Sequence, residues 1–276
     1  MLRVWFYTGS DIQPQLLNRV SESFIRHGFE VAINSQTRST DLPRMSCDKV
    51  CEWADLIVVV GGDGTLLRAF HDIGGCKPFL GVNAGSIGYL MEISVNQVDK
   101  AANLITLGNY TVEERLSGIV KLGERTIPFL NEIVIIGSER GKLIPIKVNI
   151  DGRLIQKGRA DGLIISTPTG STAYAMSAGG PVVDPLLQAF VIVPLAPFSV
   201  LQKAIVVSAS RSINVESDEL IKVIVDGLLS FELESNVIEI SYSPKGFKLI
   251  RLPLSEHVYN KLKRRLLDLR LSREVL

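Results

Sequence analysis

From Leu2 to about Leu107, short apolar runs alternate with stretches whose apolar residues keep helical spacing, the texture of βαβ units. Val4-Trp5-Phe6-Tyr7 reads as a strand. A helix follows, with Asp11 as its candidate cap, Pro14 in its first turn, Leu16, Leu17, Val20, Phe24 and Ile25 at helical spacing, and Gly28 at its end. Glu30 to Ile33 is a second strand. Leu56-Ile-Val-Val-Val60 has no polar alternation, as expected of a parallel strand buried on both faces, and it takes the centre of the sheet. A helix over Thr65–Asp72, a strand over Pro78–Val82 and a helix over Val95–Leu107 complete this α/β part.

The texture changes after Asn109. Between Tyr110 and Leu252 many short strand-like runs are separated by turn signals, among them Asp151-Gly152 and Asp226-Gly227. Both dipeptides suit two-residue hairpin turns, in which both central positions need positive φ. A mostly antiparallel second domain is expected over 109–252. The last segment, Ser255 to Leu271, spaces Val258, Leu262, Leu266 and Leu269 along one helix face. It is too short to fold alone, so it is expected to pack back on a domain already formed.

Length agrees with this division, since 276 residues make one large domain or two ordinary ones at roughly 100–200 residues each. With 46% hydrophobic and 21% charged residues and 30 Lys+Arg against 29 Asp+Glu, the chain is neither disordered nor strongly charged. Binding to nucleic acid or acidic membrane through bulk charge is therefore not expected. The longest apolar stretch, Ala189 to Val200, is broken by Pro194, Pro197 and Ser199, well short of the roughly 18 unbroken apolar residues of a spanning helix. The first residues lack the pattern of a secretory signal, and a cytoplasmic location is expected. Cys47, Cys51 and Cys76 are an odd number in a chain too long to depend on them, so reduced thiols are expected. His27, His71 and His257 are the only histidines, which leaves little material for a Ser-His-Asp triad or a histidine-rich metal site. Chemistry must rest on carboxylates, hydroxyls and backbone.

Gly61-Gly62-Asp63-Gly64-Thr65 directly follows the buried strand and opens a helix. In an open parallel sheet, ligands sit beyond the carboxyl ends of the strands, where a helix N-terminus offers free N–H groups to phosphate. The glycines let backbone approach phosphate oxygens, whereas Asp63 in such a cradle is costly unless it serves as a base or a magnesium contact. A tight turn capped by Asp63 explains the same residues equally well. Neither a Gly-x4-Gly-Lys-Ser/Thr loop nor the dinucleotide fingerprint is present, because Gly81 to Gly88 has the wrong spacing. That segment is a candidate second wall of the crevice, with Tyr89 available to stack on a base, although loop glycines and a core tyrosine account for it as well. Asn131-Glu132 stands at a strand start, where an amide and a carboxylate can clamp a ribose diol or simply be solvated. Arg159 to Pro181 runs a strand into a hydroxyl-rich turn and then a short helix from about Ser171 to Gly179-Gly180, a second nucleotide-binding edge.

Together, Gly61 to Thr65, Asn83-Ala-Gly85-Ser-Ile-Gly88-Tyr89-Leu90, Asn131-Glu132 and above all Ala160 to Pro181 resemble the NAD kinase family in order and spacing. The glycine-aspartate loop also resembles those of lipid kinases and phosphofructokinases, but the Asp161-to-Tyr174 block does not. The resemblance implies an α/β domain over 1–108, joined by a returning helix in 253–276, and a sandwich-like, β-rich NAD-binding domain over 109–252. It implies a homodimer or homotetramer, and transfer of the terminal phosphoryl of ATP or polyphosphate, with Mg²⁺, to the 2′-hydroxyl of the adenosine ribose of NAD. Asp63 matches the family's general base. By the same match Gly61, Gly62 and Gly64 would line the phosphates, with Arg68 one turn on, and Tyr89 stands where the family more often has phenylalanine. The match implies that Asn131 and Glu132 hold the ribose, while Asp161, Thr172, Ala173, Tyr174 and Ser177 frame the adenine and its neighbourhood. Arg159 matches a basic position that serves either its own site or a neighbouring subunit's. Pro194-Leu-Ala-Pro197-Phe-Ser199 and Leu228 depart from the family pattern, so no contacts are carried over from those loops. Two other readings compete: a lipid or sugar-phosphate kinase sharing the glycine loop, and a non-catalytic dinucleotide sensor.

Overall fold

The computed structural model describes residues 1–10, 12–35, 37, 41–85, 88–139, 141–233, 237–256 and 259–264. Two compact units divide the chain: Met1–Glu113 with Lys248–Leu276, and Glu114–Phe247.

In the first unit the chain runs β1 (Arg3–Thr8), α1 (Pro14–Arg26), β2 (Glu30–Asn34), β3 (Arg44–Met45), α2 (Cys47–Trp53), β4 (Leu56–Gly61), α3 (Asp63–Ile73), β5 (Phe79–Asn83), β6 (Ile93–Ser94), α4 (Val98–Thr106) and β7 (Thr111–Arg115). A short 3₁₀ turn over Val95–Gln97 leads into α4. Among the described residues the sheet order is β3-β2-β1-β4-β5-β20-β7, with β6 also on β5; β20 (Phe247–Arg251) is the strand by which the chain returns. Strand β4 is parallel to both β1 and β5, and Ile57 to Val60 are fully buried, as their unbroken apolar run predicts. Val58 and Val60 join a core with Phe6, Leu17, Phe24, Ala101 and Ile105, while α3 also packs against β4.

Helix α1 starts at Pro14 with Gln13 as its cap; the expected cap, Asp11, lies outside the described residues. Ile25 is 46% exposed rather than core, and Ser21 and Ser23 are buried near it instead. Their hydroxyls donate to the carbonyls of Asn18 and Arg19, which satisfies them inside the helix. Helix α3 opens at Asp63, two residues before the expected Thr65, because Gly62 is extended and serves as the cap. The expectation of three reduced thiols also needs correction: Cys51 and Cys76 form a disulfide, and Cys47 alone is free. Cys51 lies on α2 and Cys76 follows α3, two helices that pack together, and that proximity is invisible in the residue spacing.

Beyond β20, residues 259–264 are helical and belong to the first unit, where Lys261 is buried. Val258, Leu266 and Leu269 of the expected apolar face lie outside the described residues.

The second unit holds β8 (Gly118–Leu122), β9 (Arg125–Phe129), β10 (Glu132–Gly137), β11 (Ile144–Ile150), β12 (Arg153–Ala160), β13 (Gly162–Ser166), α5 (Tyr174–Ser177), β14 (Ala189–Leu195), β15 (Ile205–Ser208), β16 (Ile213–Glu216), β17 (Ile221–Val225), β18 (Leu229–Leu233) and β19 (Val237–Tyr242). Among the described residues these make two six-stranded sheets, β15-β14-β13-β10-β17-β18 and β12-β11-β16-β19-β8-β9, antiparallel throughout. Their inner faces share one core, in which Ile133, Ile135 and Ile165 of one sheet meet Val120, Val148 and Val215 of the other. The alternate residues Val134, Ile164 and Val191 face outward and are covered by Ala175 and Val183. Both dipeptides turn hairpins with positive φ, 49° and 76° at Asp151-Gly152 and 49° and 68° at Asp226-Gly227; the first is the expected two-residue loop, whereas Val225 pairs with Leu229 and the second loop holds three residues, 226–228.

Alkylation of the denatured protein without reductant should label one thiol, Cys47, and after reduction all three. Mass spectrometry distinguishes these; three labels before reduction would remove the disulfide.

Candidate active site

The carboxyl ends of the parallel strands carry the polar residues of the first unit. Thr8 ends β1, Asn34 ends β2, Gly61 ends β4 and Asn83 ends β5. The Thr8 amide donates to Asn34 Oδ1 at 3.3 Å, and Ala84 donates to the Gly61 carbonyl at 3.0 Å. Sequence reading passed over Thr8 and Asn34, which lie within strands of apolar character. Gly61 must be glycine here, since a Cβ would come within 2.5 Å of Thr65 Oγ1. Gly62 caps α3 without a side chain, so the positive end of the helix dipole lies beside Asp63 at this edge.

Asp63 occupies the first position of α3 and is half-buried. Its Oδ2 accepts the Tyr89 amide at 2.8 Å and its Oδ1 the Leu90 amide at 2.9 Å. These two bonds fix the plane of the carboxylate. Gly88 lies against it: a Cβ there would stand 2.5 Å from Asp63 Oδ1 and 2.9 Å from Met91 Cγ. The structure thus gives Asp63 a role beyond capping, and links the glycine-aspartate loop to the second glycine segment, which the sequence pattern only suggested. Tyr89 supplies its amide to this arrangement and its ring is largely buried. Arg68, on α3, is exposed. A cavity of about 400 Å³ opens against the loop, lined by Asn83, Gly88, Glu92 and Lys261 among others.

In the second unit, Asn131 and Glu132 open β10 and are fixed by Asp226. That carboxylate, 5% exposed, accepts the amides of Leu130, Asn131 and Glu132 at 2.8, 2.8 and 3.0 Å, while the Asp226 amide donates to the Glu132 carbonyl at 2.9 Å. Sequence reading saw in Asp226 only a hairpin residue; its clamp on a segment 95 residues away has no local signal. The hydroxyl-rich turn packs on the same place. Thr167 donates its amide to the Asn131 carbonyl and its hydroxyl to the Leu130 carbonyl, and a Cβ on Gly170 would strike Asn131 O at 2.1 Å. The short helix of the sequence reading resolves into a 3₁₀ turn over Gly170–Thr172 followed by α5, which brings Thr172, Ala173 and Tyr174 to this side. Ser171 is fully buried and bonds the Pro168 and Val183 carbonyls, so it is structural, whereas Ser177 is exposed on α5.

Glu132 is the unusual charge of this cluster. It is 7% exposed, and its Oε2 has no hydrogen-bond partner among the described residues. Burial pushes its carboxyl up to about 8, the negative charge of Asp226 adds to this, and the Tyr174 amide opposes it. A buried, unsatisfied carboxyl beside a glycine-rich turn is what a ligand with paired hydroxyls would satisfy.

Arg159 and Asp161 are not brought to this cluster within the chain. Ser166, at one end of β13, pairs with Glu132, whereas Gly162, at the other end, pairs with Ile136. At about 3.3 Å per residue, the five residues from Ser166 put Asp161 roughly 16 Å from Glu132 along the sheet. It is exposed, as is Arg159, which donates to the Leu143 carbonyl at 3.3 Å.

Residues 13–110 match the ATP-NAD kinase N-terminal domain and residues 130–252 the ATP-NAD kinase C-terminal domain. An NAD kinase of Thermococcus sibiricus is 39% identical over 255 residues, covering 90% of this chain and 91% of its own. The chain belongs to the NAD kinase family. The family extends across the full length in an NAD kinase of Methanothermobacter thermautotrophicus, 32% identical over 97% of both chains. An NAD kinase from Archaeoglobus fulgidus, solved in complex with ATP, superposes with a TM-score of 0.80 at 29% identity, over 95% of this chain and 99% of that one. A yeast NADH kinase complexed with NADH shares the fold, with a TM-score of 0.82 at 21% identity over 96% and 86% of the two chains. As an NAD kinase, the chain is a phosphotransferase acting on NAD.

Gly88→Ala should lower kcat by about 10-fold or more with the fold kept, because the added methyl displaces the carboxylate; steady-state kinetics with circular dichroism checks this. Glu132 makes a second prediction. The folded chain holds its proton up to about pH 8, whereas the unfolded chain releases it near 4.5. Its contribution to stability therefore falls as pH rises from 4.5 to 8 and levels off above. Urea unfolding of wild type and Glu132→Gln across this range should show the gap moving in favour of the variant as pH rises; a constant gap would contradict the buried proton.

Proposed function

We propose that this enzyme transfers the terminal phosphoryl of ATP or of inorganic polyphosphate to the 2′-hydroxyl of the adenosine ribose of NAD, with Asp63 as the general base. The observation that carries this reading is the Asp63 carboxylate, set at the N-terminus of α3 and locked by the amides of Tyr89 and Leu90. A sugar hydroxyl is a poor nucleophile near neutral pH, and a positioned carboxylate accepting its proton contributes about 10²–10⁴-fold. Gly61, Gly62 and Gly64 give the donor phosphates close backbone approach, with the dipole of α3 behind them and Arg68 within reach of their outer charge. Asn131 and Glu132 take the ribose hydroxyls, supported by the buried Oε2 of Glu132. Thr172, Ala173, Tyr174 and Ser177 frame the adenosine, and Tyr89 borders the acceptor side.

Among the described residues no group of three His, Cys, Asp or Glu side chains could cage a cation. The reading has a magnesium ion carried by the donor phosphates. When bound, it neutralises charge on the transferring group.

The reading includes a homodimer or homotetramer working in the cytoplasm. Arg159 and Asp161, remote from Glu132 in their own chain, would then serve a neighbouring copy's site. Supporting this, the Phe198 amide donates to the Arg159 carbonyl at 2.9 Å, and Phe198, Val200 and Leu201 are each at least 80% exposed, an apolar patch at the same place.

Asp63→Asn should reduce NADP formation by about 10²-fold or more while calorimetry still detects NAD binding. Purified protein given NAD, Mg²⁺ and either ATP or polyphosphate, read with an NADP-dependent dehydrogenase, tests both substrates. Near wild-type turnover by the variant would remove Asp63 from the reaction. Turnover of a lipid or sugar phosphate instead of NAD would favour the competing kinase reading, and NAD binding without product the sensor.

A further inference from the structure

The loop that holds Asp63 is itself held from behind by the returning segment of the chain. Lys261, 5% exposed, donates from Nζ to the carbonyl of Met91 and, at 3.5 Å, to that of Tyr89. The Tyr89 carbonyl and the Leu90 amide belong to one planar peptide and point in opposite directions. Lys261 therefore grips one side of the peptide whose other side donates to Asp63 Oδ1. The next grip works the same way: across the peptide from the Met91 carbonyl, the Glu92 amide donates to the Gly81 carbonyl of β5 at 2.8 Å. A single ammonium thus fixes the orientation of two peptides, one tied to the carboxylate and one to the sheet.

We propose that Lys261 is a positioning residue for phosphoryl transfer, holding the Tyr89 and Met91 carbonyls so that the loop amides keep the Asp63 carboxylate aimed. The proposal rests on the reading of Asp63 as the proton acceptor. Three facts favour it over a merely structural lysine. A buried ammonium is expensive, and an uncharged side chain would fill the space at lower cost. The salt-bridge partners nearby are already engaged: Glu92 takes Arg251 at 2.5 Å and the Leu252 amide at 2.7 Å, and Glu256 takes Arg264 at 2.8 Å. Finally, burial and the charge of Arg251 pull Lys261 below the ordinary lysine range, while Glu92, Asp63 and Glu256 oppose this, so Asp63 lies within the reach of its field.

The test compares Lys261→Met and Lys261→Arg with wild type in NAD kinase kinetics, with thermal midpoints alongside. Lys261→Met is expected to lose about 10- to 100-fold in kcat while KM for NAD stays within about threefold, the signature of a misplaced reacting group. Lys261→Arg should recover most of the loss, since its guanidinium can donate to both carbonyls. If Lys261→Met does not fold, Lys261→Gln takes its place with the same readouts. A kcat within about threefold of wild type in the neutral variant overturns the proposal. So does a joint loss of kcat and thermal midpoint that arginine fails to restore. Asp63→Asn, measured in parallel, separates the two readings: full activity there removes the base and leaves the Lys261 contacts as geometry alone, whereas inactivity there with an active Lys261→Met rejects only the positioning role.

Discussion

A carboxylate at the head of a helix, gripped by two amides from a loop 26 residues away, is the constraint around which the first unit is arranged. Each surrounding feature follows from the need to bring that loop so close. Gly88 lacks a side chain because one would occupy the space of Oδ1, and Gly81 lacks one because a Cβ would lie 2.9 Å from Met91 Cα. Gly61 makes room for Thr65 as strand turns into helix. The three glycines serve backbone approach rather than positive φ, since none of them is left-handed. A parallel sheet supplies the setting, because its strands deliver their carboxyl ends, and the helix start after β4, to one edge.

The second unit shows the same chemistry with the opposite electrostatic result. Asp226 is buried but accepts three amides, so its charge is matched by donors. Glu132, at the start of β10 and donating its amide to Asp226, is buried with one oxygen unmet, and the charge on Asp226 makes its ionisation costlier still. The two carboxyls divide the work: Asp226 holds the backbone of Leu130 to Glu132, and Glu132 is left buried with unused hydrogen-bonding capacity on Oε2. A buried carboxyl left with an unsatisfied oxygen is a recurring mark of functional sites, where the ligand satisfies it.

The sequence made the architecture legible where one physical signal dominated. Leu56 to Val60 declared a buried central strand through its unbroken apolar run, and Asp151-Gly152 and Asp226-Gly227 declared hairpins through the positive φ that such turns demand. Helix α3 was placed two residues late because the cap is Gly62, a residue that also suits a loop. What stayed hidden was contact at long range. The pairing of Cys51 with Cys76 depends on how α2 meets α3, and the grip of Asp226 on Leu130 to Glu132 depends on the β10–β17 pairing. Arg159 and Asp161 read as one block with Thr172 to Tyr174, yet a single strand between them carries them to opposite ends of a sheet. Adjacency in sequence is a poor guide wherever a strand intervenes.

The return of the chain to the first unit explains how a loop of glycines can hold a carboxylate at all. Gly88 brings no side chain of its own, so backbone contacts from outside help to set the position of the residues that follow it. Glu92, 5% exposed, anchors its far end to the return strand through Arg251 and the Leu252 amide, and Arg251 reaches on to Glu113 at 2.9 Å. A buried triad of this kind adds little net stability over an apolar packing, but it tolerates few alternative registers because each misplacement strands a charge. With the register of β20 fixed, the segment beyond it can place Lys261 against the Tyr89 and Met91 carbonyls. The ion pairs at the start of the return and the ammonium further along it thus act in series on the segment Tyr89–Glu92.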